Sequence, residues 1–272
     1  MQIRAGFEIS YDCTQPTPML LTLSIHPSRV GDLRTAHEVM FEPAIAADDY
    51  IDGFGNVCTR VIAPAGLMTV RTDFIVQDSG EPDPVARDAR QHTIDDLPED
   101  TLVFLLGSRY CETDRLSDTA WSLFSQTPPG WARVQAICDY VHEWIGFGYE
   151  HASVTKSAWD AYMARKRVCR DYAHLAIAFC RCMNIPARYC TGYLGDIGVP
   201  RVDPMDFSAW FEVYLGDRWY AFDARNNKPR IGRILMARGR DATDVAISTS
   251  FGASTLAGFK VFTDELAVTE TV

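Results

Sequence analysis

The chain has 272 residues, 47% of them apolar and 23% charged, enough to bury the core of one large domain or two smaller ones. Its 36 acidic and 26 basic residues leave a formal charge of −10, which argues against nucleic-acid binding through general electrostatics. The opening residues alternate and carry charge where a secretion signal needs an apolar run, and no stretch approaches the roughly 20 apolar residues of a membrane span. A cytoplasmic chain that engages neither membrane nor nucleic acid is therefore expected. Its eight cysteines (Cys13, Cys58, Cys111, Cys138, Cys169, Cys180, Cys182 and Cys190) then read as free thiols. They form no C-x-x-C pair, and no metal or cofactor is expected.

The chain opens with strands. Phe7, Ile9 and Tyr11 alternate with Glu8, Ser10 and Asp12, and Leu21, Leu23 and Ile25 share a face after a proline turn. Turn residues around Gly53–Asn56 and Pro64–Gly66 separate two further strands, the second running from Leu67 to Val76. Residues 1–80 are expected to form an antiparallel β domain. Residues 81–109, acidic and turn-rich, read as a linker or crossing segment whose apolar run Leu102–Leu106 docks on the C-terminal part of the chain.

Helical periodicity takes over at Asp118–Phe124, Trp131–Ile145 and Ser157–Arg165. The clearest helix spans Cys169–Met183 and stops at Asn184–Ile185–Pro186. Strands return at Ala187–Tyr193, at Phe207–Leu215 and, beyond the Gly216–Asp217 turn, at Arg218–Asp223. Ile231–Met236 and Thr243–Thr249 are weaker elements. Residues 110–272 are thus expected to be a separate α+β domain. A basic run, Lys228, Arg230, Arg233, Arg238 and Arg240, reads as a solvated loop and helix face.

Two places carry chemistry. Cys169 opens a helix just after Arg165–Lys166–Arg167. The positive helix end and nearby cations both favour a thiolate over a thiol whose ordinary pKa is about 8.5. Cys169 also lies on the apolar stripe of its helix, so a core cysteine is the competing reading. Asp223 ends the apolar run Trp219–Phe222, and a carboxylate buried there needs partners. It could orient an imidazole, cap a turn, or pair with Arg225. Arg170 and Asp171 read as a local ion pair.

The segment Arg167–Leu175 resembles the nucleophile motif of the transglutaminase-like superfamily, and is closest to its bacterial cysteine-protease-like branch. Ile185–Tyr189, continuing to Thr191–Tyr193, is similar to the strand after that family's nucleophile helix. Phe207–Leu215 and Arg218–Arg225 are similar to its histidine and aspartate strands, with Pro204–Asp206 and Pro229–Arg233 as further matching stretches. The likeness covers roughly residues 110–250, and the N-terminal β region matches an extra domain of that branch. The resemblance implies a papain-like order of cysteine, histidine and aspartate, with Cys169 as nucleophile, Asp223 as orienting carboxylate, and peptide or protein substrates.

The family histidine falls on Ser208. A serine hydroxyl is no base near neutral pH and forms no imidazolium partner for a thiolate. His174 lies about 140° around the helix from Cys169 and about 7.5 Å along it, which suits a supporting or packing role. His151, in an apparent loop, is a possible substitute. Trp210, on the Ser208 face of its strand, could wall a cleft or simply pack. Two functions are compatible with these residues: acyl transfer or hydrolysis of a peptide or glutamine-like amide through a Cys169 thioester, or a catalytically impaired peptide- or protein-binding module. The sequence leaves the oligomeric state open.

Overall fold

The computed structural model describes residues 1–147, 155–164, 166–167 and 169–267; for residues 147, 166, 167 and 169 it describes the backbone alone. The chain runs through β1 (Gln2–Cys13), β2 (Thr17–Leu21), β3 (Met40–Glu42), β4 (Ala47–Ile51), β5 (Val57–Ala63) and β6 (Gly66–Gln77) before its first α-helix. Then come α1 (Thr113–Phe124), α2 (Trp131–Trp144), β7 (Gly146–Phe147), α3 (Ala158–Ala164), β8 (Lys166–Arg167) and α4 (Cys169–Cys182). The last third holds β9 (Ala187–Leu194), β10 (Ser208–Leu215), β11 (Arg218–Phe222), β12 (Arg233–Gly239), β13 (Ser248–Ser250) and β14 (Ser254–Leu266). Among the described residues no helix is long and apolar enough to cross a membrane.

Period-two alternation builds the first unit. Ile3, Ala5, Phe7, Ile9 and Tyr11 of β1 are buried, as are Met19 and Leu21 of β2 and Met68, Val70, Phe74 and Val76 of β6. They join one core between two four-stranded sheets, β14-β1-β6-β3 and β13-β2-β5-β4. The second unit has a four-stranded antiparallel sheet, β11-β10-β9-β12, with α4 packed on β9 and β10 and contacted by α1, α2 and α3. Leu175 through Cys180 are fully shielded, so the middle of α4 is apolar all round and covered on every side.

Two sequence expectations need correcting. The second unit does not run to residue 272. β14 pairs with β1 along its length and β13 pairs with β2, so residues 248–266 complete the N-terminal sheets. The cause is the burial of β1, whose second edge must be hydrogen-bonded. Helix α1 also begins earlier than Asp118, because its buried stripe Leu116, Ala120 and Phe124 repeats every four residues from position 116. The crossing segment docks on the second unit through Ala89–Gln91 as well. Ala89 O accepts from Trp131 N–H at 3.1 Å, Arg90 O from Gly216 N–H at 3.0 Å, and the Gln91 amide donates to Met183 O at 2.9 Å. A Cβ on Gly130, whose φ is +85°, would stand 2.4 Å from Ala89 O, so only glycine admits this approach.

Candidate active site

Helix α4 ends where Asn184 turns left-handed at φ 60°, and Ile185 N–H donates to Cys180 O at 2.9 Å. Arg181 holds the joint to β9. Buried and charged, it donates to Ala187 O at 2.9 Å and 3.1 Å through two nitrogens and to Leu106 O at 3.0 Å. So short a connection returns β9 antiparallel along α4. Across from β9, β10 pairs Val213 with Ala187 and Ser208 with Gly192. Ser208 therefore lies at the far end of the sheet from Arg181, the end at which α4 starts. In turn Phe222 of β11 pairs with Phe211, which brings Asp223 level with Trp210. By this register Ser208 and Asp223 lie at the sheet end where α4 starts with Cys169, although 54 positions separate Cys169 from Asp223.

Asp223 is buried and fully engaged. Its Oδ1 accepts from the Asn226 backbone N–H at 2.9 Å; its Oδ2 accepts from the Asn226 side-chain amide at 2.8 Å and from Arg233 Nη2 at 3.1 Å. Arg233, stacked on the Trp210 ring with 5.1 Å to its centroid, also donates through Nε to both oxygens of Asp83, at 2.9 Å and 3.0 Å. Arg230 tightens the same knot: its N–H donates to Asp83, Nη1 to Asn226 Oδ1 and Nη2 to Gly195 O. Burial alone would push the Asp223 carboxyl up, but Arg233 and the two Asn226 bonds together outweigh it and hold the group below its ordinary value. Arg233 is raised despite its burial, by Asp223 and Asp83. Among the described residues no imidazole hydrogen-bonds Asp223.

The basic run is thus only in part a solvated face: Lys228 is exposed, but the arginines are not. Arg230 and Arg233 are buried, because Asp83, Asp196 and Asp223 pair with them. Of the three roles open to Asp223, it caps the turn to Asn226, and its guanidinium partner is Arg233, ten positions on, instead of Arg225.

Ser208 is half-buried at the start of β10. It borders a hollow of about 240 Å³ walled by the loop from Leu194 to Phe207, with Arg225 and Arg230 on its other side. Trp210 faces away from α4 into a small cluster with Cys190 and Leu235, beneath Arg233. It props the ion chain. His174 is wholly buried between Tyr110, stacked at 5.1 Å, and Tyr189 at 5.0 Å. Its Nε2 accepts from Ala242 N–H at 3.1 Å, and burial drives its pKa down to about 3, so the ring is neutral. Arg170 lies 3.9 Å from Asp171 and over the Tyr110 ring. His151 lies outside the described residues, as does the side chain of Cys169.

One imidazole whose place the sequence did not reveal stands at this end of the fold. His142, exposed on the last turn of α2, has Nδ1 3.1 Å from Ala224 O, next to Asp223. A carbonyl only accepts, so Nδ1 carries the hydrogen of this contact. Arg233, Asp83 and Asn226 were also missed. The unusual apolar approach to Asp223 signalled a need for partners, but not which ones.

Residues 120–224 match the sequence profile of the Transglutaminase-like superfamily. The chain carries a transglutaminase-like domain. That domain takes in α2, α3, α4 and the β9–β11 sheet, and its matched span ends one residue past Asp223. The whole fold is similar to the crystal structure of a candidate cysteine protease from Cytophaga hutchinsonii, with 28% identity and a TM-score of 0.85 over 98% of this chain and 91% of that one. An uncharacterised protein of Mycobacterium tuberculosis is 29% identical over 234 residues, 77% of this chain and 74% of its own. One from Mycobacterium leprae is 28% identical over 225 residues, 75% of each. The Cytophaga likeness extends the shared architecture beyond the transglutaminase-like domain to the N-terminal sheets.

Proposed function

We propose that the chain is a cysteine-dependent enzyme that hydrolyses or transfers the acyl group of a peptide or glutamine-like amide through a thioester on Cys169. The observation that carries this reading is the convergence of the α4 start, residue 208 and Asp223 at one end of a transglutaminase-like domain. A thiol at the start of a 14-residue helix gains from the positive helix end. The sulfur adds to the amide carbonyl, and N–H groups of the first turn donate to the negative oxygen. The C–N bond then breaks, the amine leaves with a proton, and a thioester remains. Water or a second amine adds, the C–S bond breaks, and the thiol is restored. The proton carrier is a group other than Ser208. His142, held by Ala224 O through Nδ1, is a described imidazole at this end of the fold. The seven described cysteines are free, which suits a reducing cytoplasm.

Alkylation by iodoacetamide across roughly pH 5 to 9, read residue by residue by mass spectrometry, tests the nucleophile. Cys169 is expected to react first among the cysteines, with half-reaction well below the ordinary thiol pKa. A Cys169 that reacts only as slowly as a shielded core thiol refutes the reading.

A second reading has its own observation. With serine at position 208 and Asp223 saturated by Arg233 and Asn226, the domain would hold a peptide or protein without turning it over. Hydrolysis by the unmodified protein that disappears in Cys169→Ala rules this out.

A further inference from the structure

The crossing segment is pinned at two places and bowed between them. At one end Asp83 N–H donates to Arg230 O at 2.9 Å, and the Asp83 carboxylate grips Arg233. At the other, Ala89, Arg90 and Gln91 bond to α2, the β10–β11 turn and the end of α4. Residues 84–88 span a cavity of about 460 Å³, a volume in the range of small-molecule sites. Trp131 and Ala136 of α2 and Phe222 of β11 give it an apolar lining, and Pro84 and Val85 line it from the crossing segment. Val85 is 50% exposed, an apolar side chain held over a hollow instead of packed into a core. Ser208 does not line this cavity; it borders the separate hollow under the 194–207 loop.

The charges around the cavity are unevenly matched. Asp83 and Asp223 are paired with Arg233. Asp139 Oδ1 accepts from the side-chain amides of Gln135 and Asn227, both at 2.8 Å. Arg87 and Lys228, by contrast, line the cavity, and neither forms an ion pair among the described residues. The carboxylates are engaged by donors of the protein itself, Asp139 by amides alone, whereas Arg87 and Lys228 are exposed and open to a ligand, so the site offers two cations beside an apolar body.

From this we infer that the cavity under the 84–88 bow binds a small amphipathic carboxylate: an aromatic or branched apolar group seated on Trp131 and Phe222, with its carboxylate at Arg87 and Lys228. Because Asp83 and Asp223 share the cavity wall, an occupant rests against the ion chain that anchors the crossing segment. Occupancy does not depend on the chemistry of Cys169.

Isothermal titration of the full chain with N-acetyl-L-phenylalanine, and with its uncharged amide, tests this. The acid is expected to bind one to one and the amide at least about tenfold more weakly, since the amide keeps the ring and loses the charge. Reversing both cations in Arg87→Glu/Lys228→Glu is expected to weaken the acid at least about tenfold, with the melting temperature unchanged, because both side chains are exposed. Ala136→Trp, which adds bulk to the apolar lining, is expected to abolish the heat. If that variant folds poorly, the charge-reversed variant decides alone. Equal binding of acid and amide, no binding of the acid, or undiminished binding by the charge-reversed chain overturns the inference.

Discussion

Asp223 and His174 are both shielded from solvent, at 7% and 0% exposure, yet one is held charged and the other neutral. Partners make the difference. Asp223 receives an arginine and two amide donors, and Arg233 is in turn shared with Asp83. His174 receives a single backbone N–H between two tyrosine rings. A buried ionisable group keeps its charge only where counter-charge and hydrogen bonds exceed the cost of desolvation. A motif position therefore does not by itself specify a chemical state. The carboxylate that the transglutaminase-like pattern would give to an imidazole is committed to a guanidinium here.

Removing one member of the charged centre sets the largest expected effect. Asp223→Ala leaves Arg233 with one carboxylate and Asn226 with none, and is expected to cost about 3 kcal/mol in urea unfolding, the lower end for a broken buried pair. Asp83→Ala is expected to cost less, about 2 kcal/mol, since Arg233 then keeps its partner within the sheet. Equal and negligible losses from both would mean that the ion chain is open to solvent.

The neutral centre is sharpened by acid. His174 has a folded pKa of about 3 against an ordinary 6.5, so between those values the unfolded chain binds a proton that the folded chain does not. Stability therefore falls as pH drops below 6.5, by about 1.4 kcal/mol per unit for this one group. His26, lowered to about 4 by burial and by Arg238, adds to the same limb. Asp223 acts in the same direction but in a lower pH window. Its folded value lies below the ordinary 3.8, so its contribution is complete above that pH and is lost only as pH falls further. His174→Gln should flatten the slope of the urea midpoint between pH 6.5 and 4, while Asp223→Ala should lower the curve there without changing its slope.

Ser208→His carries the smallest expected change in stability, within about 0.5 kcal/mol, since the position is half-buried at a strand start. It places an imidazole at the sheet end shared with α4 and is expected to raise amide hydrolysis. A variant that folds normally and is no faster than its parent would mean that Asp223, held by Arg233, leaves the new imidazole without orientation.

Much of this architecture is legible in the residues themselves. The alternation of β1, the stop of α4 at Pro186 and the β10–β11 hairpin all come from local periodicity and turn residues. So does the requirement that a carboxylate after Trp219–Phe222 have partners. What stays hidden is long-range. Asp83 and Arg233 are 150 positions apart, and nothing local to either names the other. β14 is hidden for a different reason. It is an edge strand with few buried positions, so it lacks the alternation that marks β1, the strand it completes. His142 sits in a helical pattern like any other solvent-facing residue, and only the approach of Ala224 O sets it apart.

The central claim is that Cys169 is a nucleophile, and it meets its most direct test in turnover. Purified wild type and Cys169→Ala are compared on a panel of peptide and glutamine-amide substrates, with thioester capture by mass spectrometry at short times. The account predicts an acyl adduct on residue 169 in the wild type, release of amine that keeps pace with it, and neither in the variant. Amine release at the same rate from both proteins, with no mass added at position 169, would contradict it.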